Sequence, residues 1–201
     1  MSKSFLAVSA LFMAITTPAV ALDFTGGTFG LDYTTYPDIE EITATGFSSD
    51  IEFAITPQFS AALSMSSTTY DIDVPFDLSS SSTFLHGIYS INDAVKVGAF
   101  WGNESVFYYS SDTYGLEAAY DNGSFNAGGY VGAGQFVEED VTLYGLNGGY
   151  VFGAGFGINA DVDIVDMDIN DYTMTTSSVG VEYNFGNGAA VSLDFGQFKV
   201  E

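Results

Sequence analysis

The sequence has no cysteine, no arginine and very few basic residues of any kind. Cysteine is absent from all 201 residues, which excludes disulfide frameworks and thiolate metal sites. Lysine and arginine together number 3, against 26 aspartates and glutamates, and the formal net charge is −23. Because a polyanionic surface repels phosphate, this balance excludes nucleic acid as a partner.

Long apolar segments are missing too. No stretch reaches about 18 consecutive apolar residues, which excludes a protein that crosses a membrane with helices. A shorter apolar segment, Phe5 to Ile15, follows Lys3 and precedes the small-residue triplet Ala19-Val20-Ala21. This order is typical of a secretory signal peptide. We therefore predict a leader at residues 1–21, cleaved after Ala21, and one domain at residues 22–201.

A β-strand pattern is repeated along the remaining chain. Apolar residues alternate with small or polar ones in five segments, each interrupted by a tight turn. The turns lie at 57–58, 92–93, 121–123, 152–155 and 186–188, where Asn-Gly and Gly-Asn-Gly fit hairpin geometry. Longer polar connections are predicted between the hairpins, at 36–41, 71–82, 103–112, 138–140 and 166–171. Short turns that alternate with longer loops are typical of an outer-membrane barrel.

The charged residues of the strands all fall on one side of the alternation. Phe156, Ile158 and Val162 share one parity, for example, and Asp161 and Asp163 have the other. A cationic side chain that faces lipid at mid-depth costs about 2–4 kcal/mol and a carboxylate somewhat less, so a bilayer would impose this separation. The remaining inward residues are predicted to be small and polar. The candidate pore-lining residues are Asp32, Asp50, Glu52, Lys96, Glu117, Asp161, Asp163, Glu182 and Asp194.

Aromatic residues cluster beside the tight turns. Such a girdle is typical of the membrane interface of a barrel. We count eleven strands in residues 22–201. The sequence thus predicts an all-β fold, a transmembrane antiparallel β-barrel with meander topology and about 10–12 strands. The girdle residues are Phe59, Tyr89, Tyr120, Phe125, Tyr150, Phe156, Tyr183 and Phe185.

The hairpin at 179–191, VGVEYNFGNGAAV, resembles hairpins of the Gram-negative porins of alphaproteobacteria. The similarity covers most of residues 22–198 as a pattern of strands and turns. It implies a place in the outer membrane and passive diffusion of small hydrophilic solutes. Three features depart from that family. The chain is too short for the usual 16 strands or so, its last residue is Glu201 instead of phenylalanine, and without arginine it lacks the arginine cluster of the family's pore eyelet.

Signals for catalysis or metal binding are few. His86 is the single histidine, and nothing in the sequence gives it a nucleophile and an orienting partner. We therefore predict no enzymatic activity and no cofactor. Asp166, Asp168 and Asp171 are candidate ligands for weakly held surface Ca²⁺, although the glycine and closing glutamate of a calcium loop are missing.

The excess of inward carboxylates predicts a pore that prefers cations, because a narrow acidic lumen concentrates cations and excludes anions. The expected partners are outer-membrane lipid and small solutes or cations, and the oligomeric state, monomer or homo-oligomer, is left open. Two alternatives stay open as well. One is a non-conducting structural or adhesive barrel filled by its own side chains. The other is a secreted acidic β-sandwich that binds calcium or a glycan.

Overall fold

A closed β-barrel makes up the part of the chain that the computed structural model describes, which is residues 2–13, 23–36, 42–72, 78–107, 109–136, 139–167, 172–185 and 189–201. A 3-10 turn at Gly153–Gly155 lies between two of its strands. No helix in these ranges is long and apolar enough to span a bilayer. The strands are β1 (Ser2–Met13), β2 (Asp23–Thr35), β3 (Thr43–Ala54), β4 (Phe59–Asp71), β5 (Leu78–Ser90), β6 (Val95–Val106), β7 (Tyr109–Asp121), β8 (Phe125–Phe136), β9 (Glu139–Val151), β10 (Phe156–Met167), β11 (Tyr172–Asn184) and β12 (Ala189–Val200).

The topology is a plain meander. Each strand pairs antiparallel with the next, and β1 pairs with β12 to close the barrel. The predicted fold class, an antiparallel meander barrel of about 10–12 strands, is confirmed. The β-sandwich alternative is wrong, because the strands form one closed sheet instead of two packed ones.

Apolar side chains lie on the outside of this barrel. On β7, Tyr114 and Leu116 are 61% and 64% exposed, and on β9 Leu146 is 67% exposed. The adjacent inward positions are small: Gly115 pairs with Gly132 across the β7–β8 ladder. A soluble sheet buries its apolar face, whereas this one turns it outward, as a barrel surrounded by lipid does.

Two belts of outward aromatic rings mark the edges of the apolar surface. The first belt lies beside the tight turns and contains the eight girdle residues predicted from the sequence. Its rings contact one another, and the centroids of Phe156 and Tyr183 are 4.7 Å apart. Rings at both edges of an apolar band are typical of lipid interfaces. The second belt, near the other end of the strands, consists of Tyr33, Trp101, Tyr114 and Tyr144, all of them exposed.

Beyond the second belt the outward positions become polar. The Asn103 amide donates to Asp112 Oδ1 at 3.1 Å, and the Gln135 amide donates to Asp140 Oδ1 at 3.2 Å. Asp166 accepts a hydrogen bond from the neighbouring strand in the same region. These strands therefore continue past the apolar band. We call this end of the barrel the polar end and the other the tight-turn end.

Four of the five polar connections, all except the one at 36–41, are shorter than the sequence predicted. Most of 103–112 is strand, because β6 continues to Val106 and β7 begins at Tyr109. Residues 78–82, 139–140 and 166–167 are strand as well. The prediction ended each strand where the apolar alternation stops, but backbone groups go on pairing after the strand has left the apolar band. The contrast between short turns and long loops is therefore wrong at 103–112.

The first strand lies within the segment predicted as a leader. β1 pairs with both β12 and β2, so it completes the ring of twelve. The eleven strands counted in residues 22–201 correspond to β2–β12. Removal of residues 1–21 stays a prediction.

We expect N-terminal sequencing of the protein from the envelope fraction to begin at Leu22. The physical reason is that Phe5 to Ile15 is apolar on both parities, as in a signal peptide, whereas a barrel strand alternates. Replacing Ala19 with glutamine should block cleavage, because the site needs a small residue. A folded barrel that begins at Met1 or Ser2 would instead show that β1 is part of the mature protein.

Candidate functional site

The inner wall of the barrel carries the charged strand residues. The structure places all nine candidate pore-lining residues on the inward parity of their strands, and eight of the nine are partly shielded from solvent. Their role in conduction stays a prediction. By strand they are Asp32 on β2, Asp50 and Glu52 on β3, Lys96 on β6, Glu117 on β7, Asp161 and Asp163 on β10, Glu182 on β11 and Asp194 on β12.

Glu52 and Lys96 form an ion pair across the inner wall. Lys96 Nζ lies 3.5 Å from both carboxylate oxygens of Glu52, and Ser60 Oγ donates to Glu52 Oε1 at 2.7 Å. Lys96 is the one cationic side chain among the predicted pore-lining residues. Its charge is therefore largely compensated by a single carboxylate.

A second pair joins β5 to β7 across β6. His86 Nδ1 lies 3.0 Å from both oxygens of Glu117. The Glu117 side chain reaches it by lying over Gly98, where a Cβ atom would be 2.6 Å from Glu117 Oε1. The sequence left the parity of His86 undecided, and the structure turns it inward. The histidine is therefore paired with a carboxylate on the second strand along.

A third contact joins β8 to β10 across β9. The Tyr130 hydroxyl donates to Asp163 Oδ1 at 2.8 Å. Both side chains lie over Gly145, where a Cβ atom would collide with them. Glu104 on β6 is a further inward acid that the sequence interpretation missed, because it assigned 103–112 to a loop. Glu104 has the same parity as Lys96, so continuing the alternation along β6 would have predicted that Glu104 faces inward.

Short polar side chains hold several of the remaining acids against the wall. Thr28 Oγ1 donates to Asp50 Oδ2 at 2.9 Å, and Ser192 Oγ donates to Asp194 Oδ2 at 2.7 Å. Ser178 donates to Asp161 in the same way. These hydrogen bonds fix the orientation of the three carboxylates on the inner wall.

A cavity of about 920 Å³ occupies the tight-turn half of the barrel. Its lining comes from eight consecutive strands, β2 to β9. The charged side chains that line it are Asp50, Glu52, Lys96, Glu117 and Asp121. On β5 and β8 the lining extends as far as His86 and Tyr130, which lie about halfway along their strands.

Large apolar side chains also point inward, which corrects the prediction of a uniformly small and polar interior. Phe84, His86, Phe100 and Tyr130 form a ring cluster with centroid distances of 5.9 to 6.3 Å. Val141 and Leu143 on β9 are inward and buried. The sequence interpretation predicted small and polar residues at these inward positions and did not place Phe100, although Phe100 has the inward parity of Lys96.

The candidate calcium ligands are only partly described. Asp166 faces outward on β10, where Thr173 Oγ1 donates to it at 3.1 Å, and Asp168 and Asp171 lie outside the described residues. Within the described ranges, no group of three or more histidine, cysteine or acidic side chains has the arrangement of a metal site.

Comparisons with known proteins support the fold. No family model and no curated protein matches the sequence. Among solved structures, KdgM porin matches with a TM-score of 0.52 and 9% identity over 99% of both chains. The deltaS2S3 mutant of the TodX monoaromatic hydrocarbon channel matches with a TM-score of 0.51 and 8% identity, over 99% of this chain and 89% of that one. At such identities the likeness shows the fold alone: it is the barrel fold of porins and channel proteins.

Thiol labelling at two adjacent positions on β7 tests which side of the strand faces the lumen and which faces lipid. We expect a membrane-impermeant thiol reagent to label Glu117→Cys, which lines the cavity, and to miss Leu116→Cys, which faces outward. The measurement is the extent of labelling of intact protein in lipid vesicles, with denatured protein as the reference for full reactivity. Stronger labelling at position 116 than at position 117 would show that the two faces are reversed.

Proposed function

We propose that this protein is an outer-membrane channel through which small hydrophilic solutes diffuse passively, with a preference for cations. The observation that carries the proposal is the cavity of about 920 Å³, whose lining includes the five charged side chains named above, inside a barrel with an apolar exterior. Lipid would cover the exterior, and water would fill the cavity. The proposal assigns no catalytic activity and no cofactor, and it leaves open whether the barrel is a monomer or a homo-oligomer.

The cation preference follows from the charges of the inner wall. Of the nine predicted pore-lining residues, Lys96 alone is cationic, and it is paired with Glu52. Carboxylates in a narrow passage with low-dielectric walls raise the local concentration of cations and lower that of anions. Salt at 1 M screens charges beyond about 3 Å, so the preference should be larger in dilute salt.

The test is electrical recording of the purified protein in planar bilayers. We expect stepwise conductance increases and, across a KCl gradient, a reversal potential of the sign that K⁺ permeation produces. The same preparation, run boiled and unboiled on a gel, reports whether the barrel is folded and whether it is oligomeric. A folded protein that conducts anions better than cations would contradict the preference, and one that does not conduct would contradict the channel.

A non-conducting structural barrel is the second candidate function. It is favoured by the inward side chains of Phe100, Val141 and Leu143, which are buried although they face the lumen. Small barrels can be filled by their own side chains in this way. The bilayer recording separates the two candidates, because a filled barrel gives no conductance steps.

A further inference from the structure

The inward side chains of Phe84, Phe100, Val141 and Leu143 lie in two neighbouring rows of the hydrogen-bonded register. In each row, small residues separate the phenylalanine from the aliphatic side chain on β9. One row is Phe84, Gly102, Thr113, Gly134 and Val141, and the other is His86, Phe100, Gly115, Gly132 and Leu143.

The Phe100 ring lies across the glycines of its own row. A Cβ atom at Gly132 would be 3.0 Å from the Cζ atom of the ring, and a Cβ atom at Gly115 would collide with it. The ring also contacts its neighbours edge-on, with centroids 5.9 Å from Phe84 and 6.0 Å from Tyr130. Phe100 is therefore held in place by rings on either side and by backbone beneath it.

Burial shows that the lumen is narrow at this level. A side chain that lines an open, water-filled lumen is accessible to water from the inside. Phe100, Val141 and Leu143 face inward, yet they are only 8%, 5% and 9% exposed. The cavity lining on β6 reaches Gly98 and does not include Phe100. The cavity thus ends where the two rows begin.

We propose that Phe84, Phe100, Val141 and Leu143 form an apolar constriction that limits the passage of hydrated ions, with Phe100 as its main element. The inference rests on the proposed channel function, because a constriction matters only where solutes cross. An ion that passes apolar side chains loses part of its hydration without replacement, and such constrictions gate by dewetting. The constriction thus favours weakly hydrated solutes, whereas the carboxylates select by charge.

Replacing Phe100 with alanine tests the constriction directly. The floor beneath the ring is Gly115 and Gly132, and these two positions have no side chain that could fill the vacated space. We expect Phe100→Ala and Phe100→Ser to raise single-channel conductance by about threefold or more, because water can then occupy this level. Phe100→Leu keeps an apolar side chain and should stay near the wild-type conductance. Trp101→Ala is the matched control, since Trp101 is the next residue on β6 and is 58% exposed on the outside.

Discrimination between two cations of equal charge gives a second readout, which does not depend on the preference for cations over anions. With CsCl and LiCl on opposite sides of the bilayer, wild-type protein should favour Cs⁺, the more weakly hydrated cation, more strongly than their mobilities in water do. Phe100→Ser should bring the permeability ratio close to the mobility ratio. Leu143→Ala, at the other end of the same row, should act in the same direction and provides the test if the Phe100 variants do not fold.

The outcomes separate the constriction from the channel function. Higher conductance in Phe100→Ala or Leu143→Ala, with Trp101→Ala unchanged, supports the constriction, and it does so even if the wild-type protein is closed. Wild-type conductance in folded Phe100→Ala and Leu143→Ala overturns the constriction and leaves the channel function intact. Absence of conductance in the wild type and in every folded variant overturns both.

Discussion

Leu116→Arg is expected to destabilise the folded barrel in a bilayer by about 2–4 kcal/mol, the cost of an arginine on the lipid face at mid-depth. Leu116 is 64% exposed and lies between the two aromatic belts on β7, beside the outward Val131 of β8. The guanidinium group would have no polar partner in the hydrocarbon and would have to extend toward an interface. The measurement is equilibrium unfolding by denaturant in phospholipid vesicles.

Asp112→Arg is the matched control, because it changes the same strand on the same outward parity. Asp112 lies beyond the second belt, where it accepts a hydrogen bond from Asn103, and an arginine near the interface costs only about 0–1 kcal/mol. If the barrel were surrounded by water, the loss of stability caused by an arginine would not depend on its position along the strand. Equal effects at positions 112 and 116 would therefore contradict the membrane placement of the apolar band.

Glu52→Gln combined with Glu117→Gln is expected to reduce the cation preference sharply. Both carboxylates line the cavity. Loss of Glu52 also leaves Lys96 without the carboxylate that now lies 3.5 Å from it, so the change removes a negative charge and uncovers a positive one. Reversal potentials across a salt gradient should move toward zero, and the shift should be larger at 0.1 M salt, where the Debye length is about 10 Å, than at 1 M.

Two further variants show whether the effect is local. Adding Lys96→Met to Glu52→Gln removes the uncovered positive charge and should restore part of the preference. Asp140→Asn removes an acid from the outside of the polar end and should leave the reversal potential nearly unchanged. If Asp140→Asn shifts it as much as the double variant does, the selectivity comes from the overall charge of the protein and not from the inner wall.

Strand parity was predictable from sequence because lipid imposes it. The positions of Asp161 and Asp163 opposite Ile158 and Val162 follow from a period of two and from the cost of a charge in hydrocarbon. The same reasoning predicted the meander and the tight turns at 57–58, 92–93, 121–123 and 152–155, whereas the predicted turn at 186–188 lies outside the described residues. It failed on the composition of the interior: the inward residues other than the charged ones were predicted to be small and polar, and Phe100 was not placed although its parity is inward.

The cross-wall contacts could not be predicted, because they depend on register. His86 meets Glu117 only because β5, β6 and β7 are aligned so that Gly98 lies between them. A shift of one residue would turn each of these side chains to the other face. Connection lengths fix the register, and the sequence pattern overestimated the connection at 103–112 because polar outward residues there resemble a loop.

The glycines of the inner wall have a consequence for how relatives of this protein diverge. Glu117 lies in the space that a side chain at position 98 would occupy, and Asp194 lies in the space above Gly180. Each pair of positions shares one volume, so the two should change together during evolution. In a relative with alanine or a larger residue at position 98 or 180, we expect a shorter side chain at the partner position. The acidic residue should then be found on another strand. Covariation between these positions, which are distant in sequence but paired across neighbouring strands, would then record the shape of the lumen.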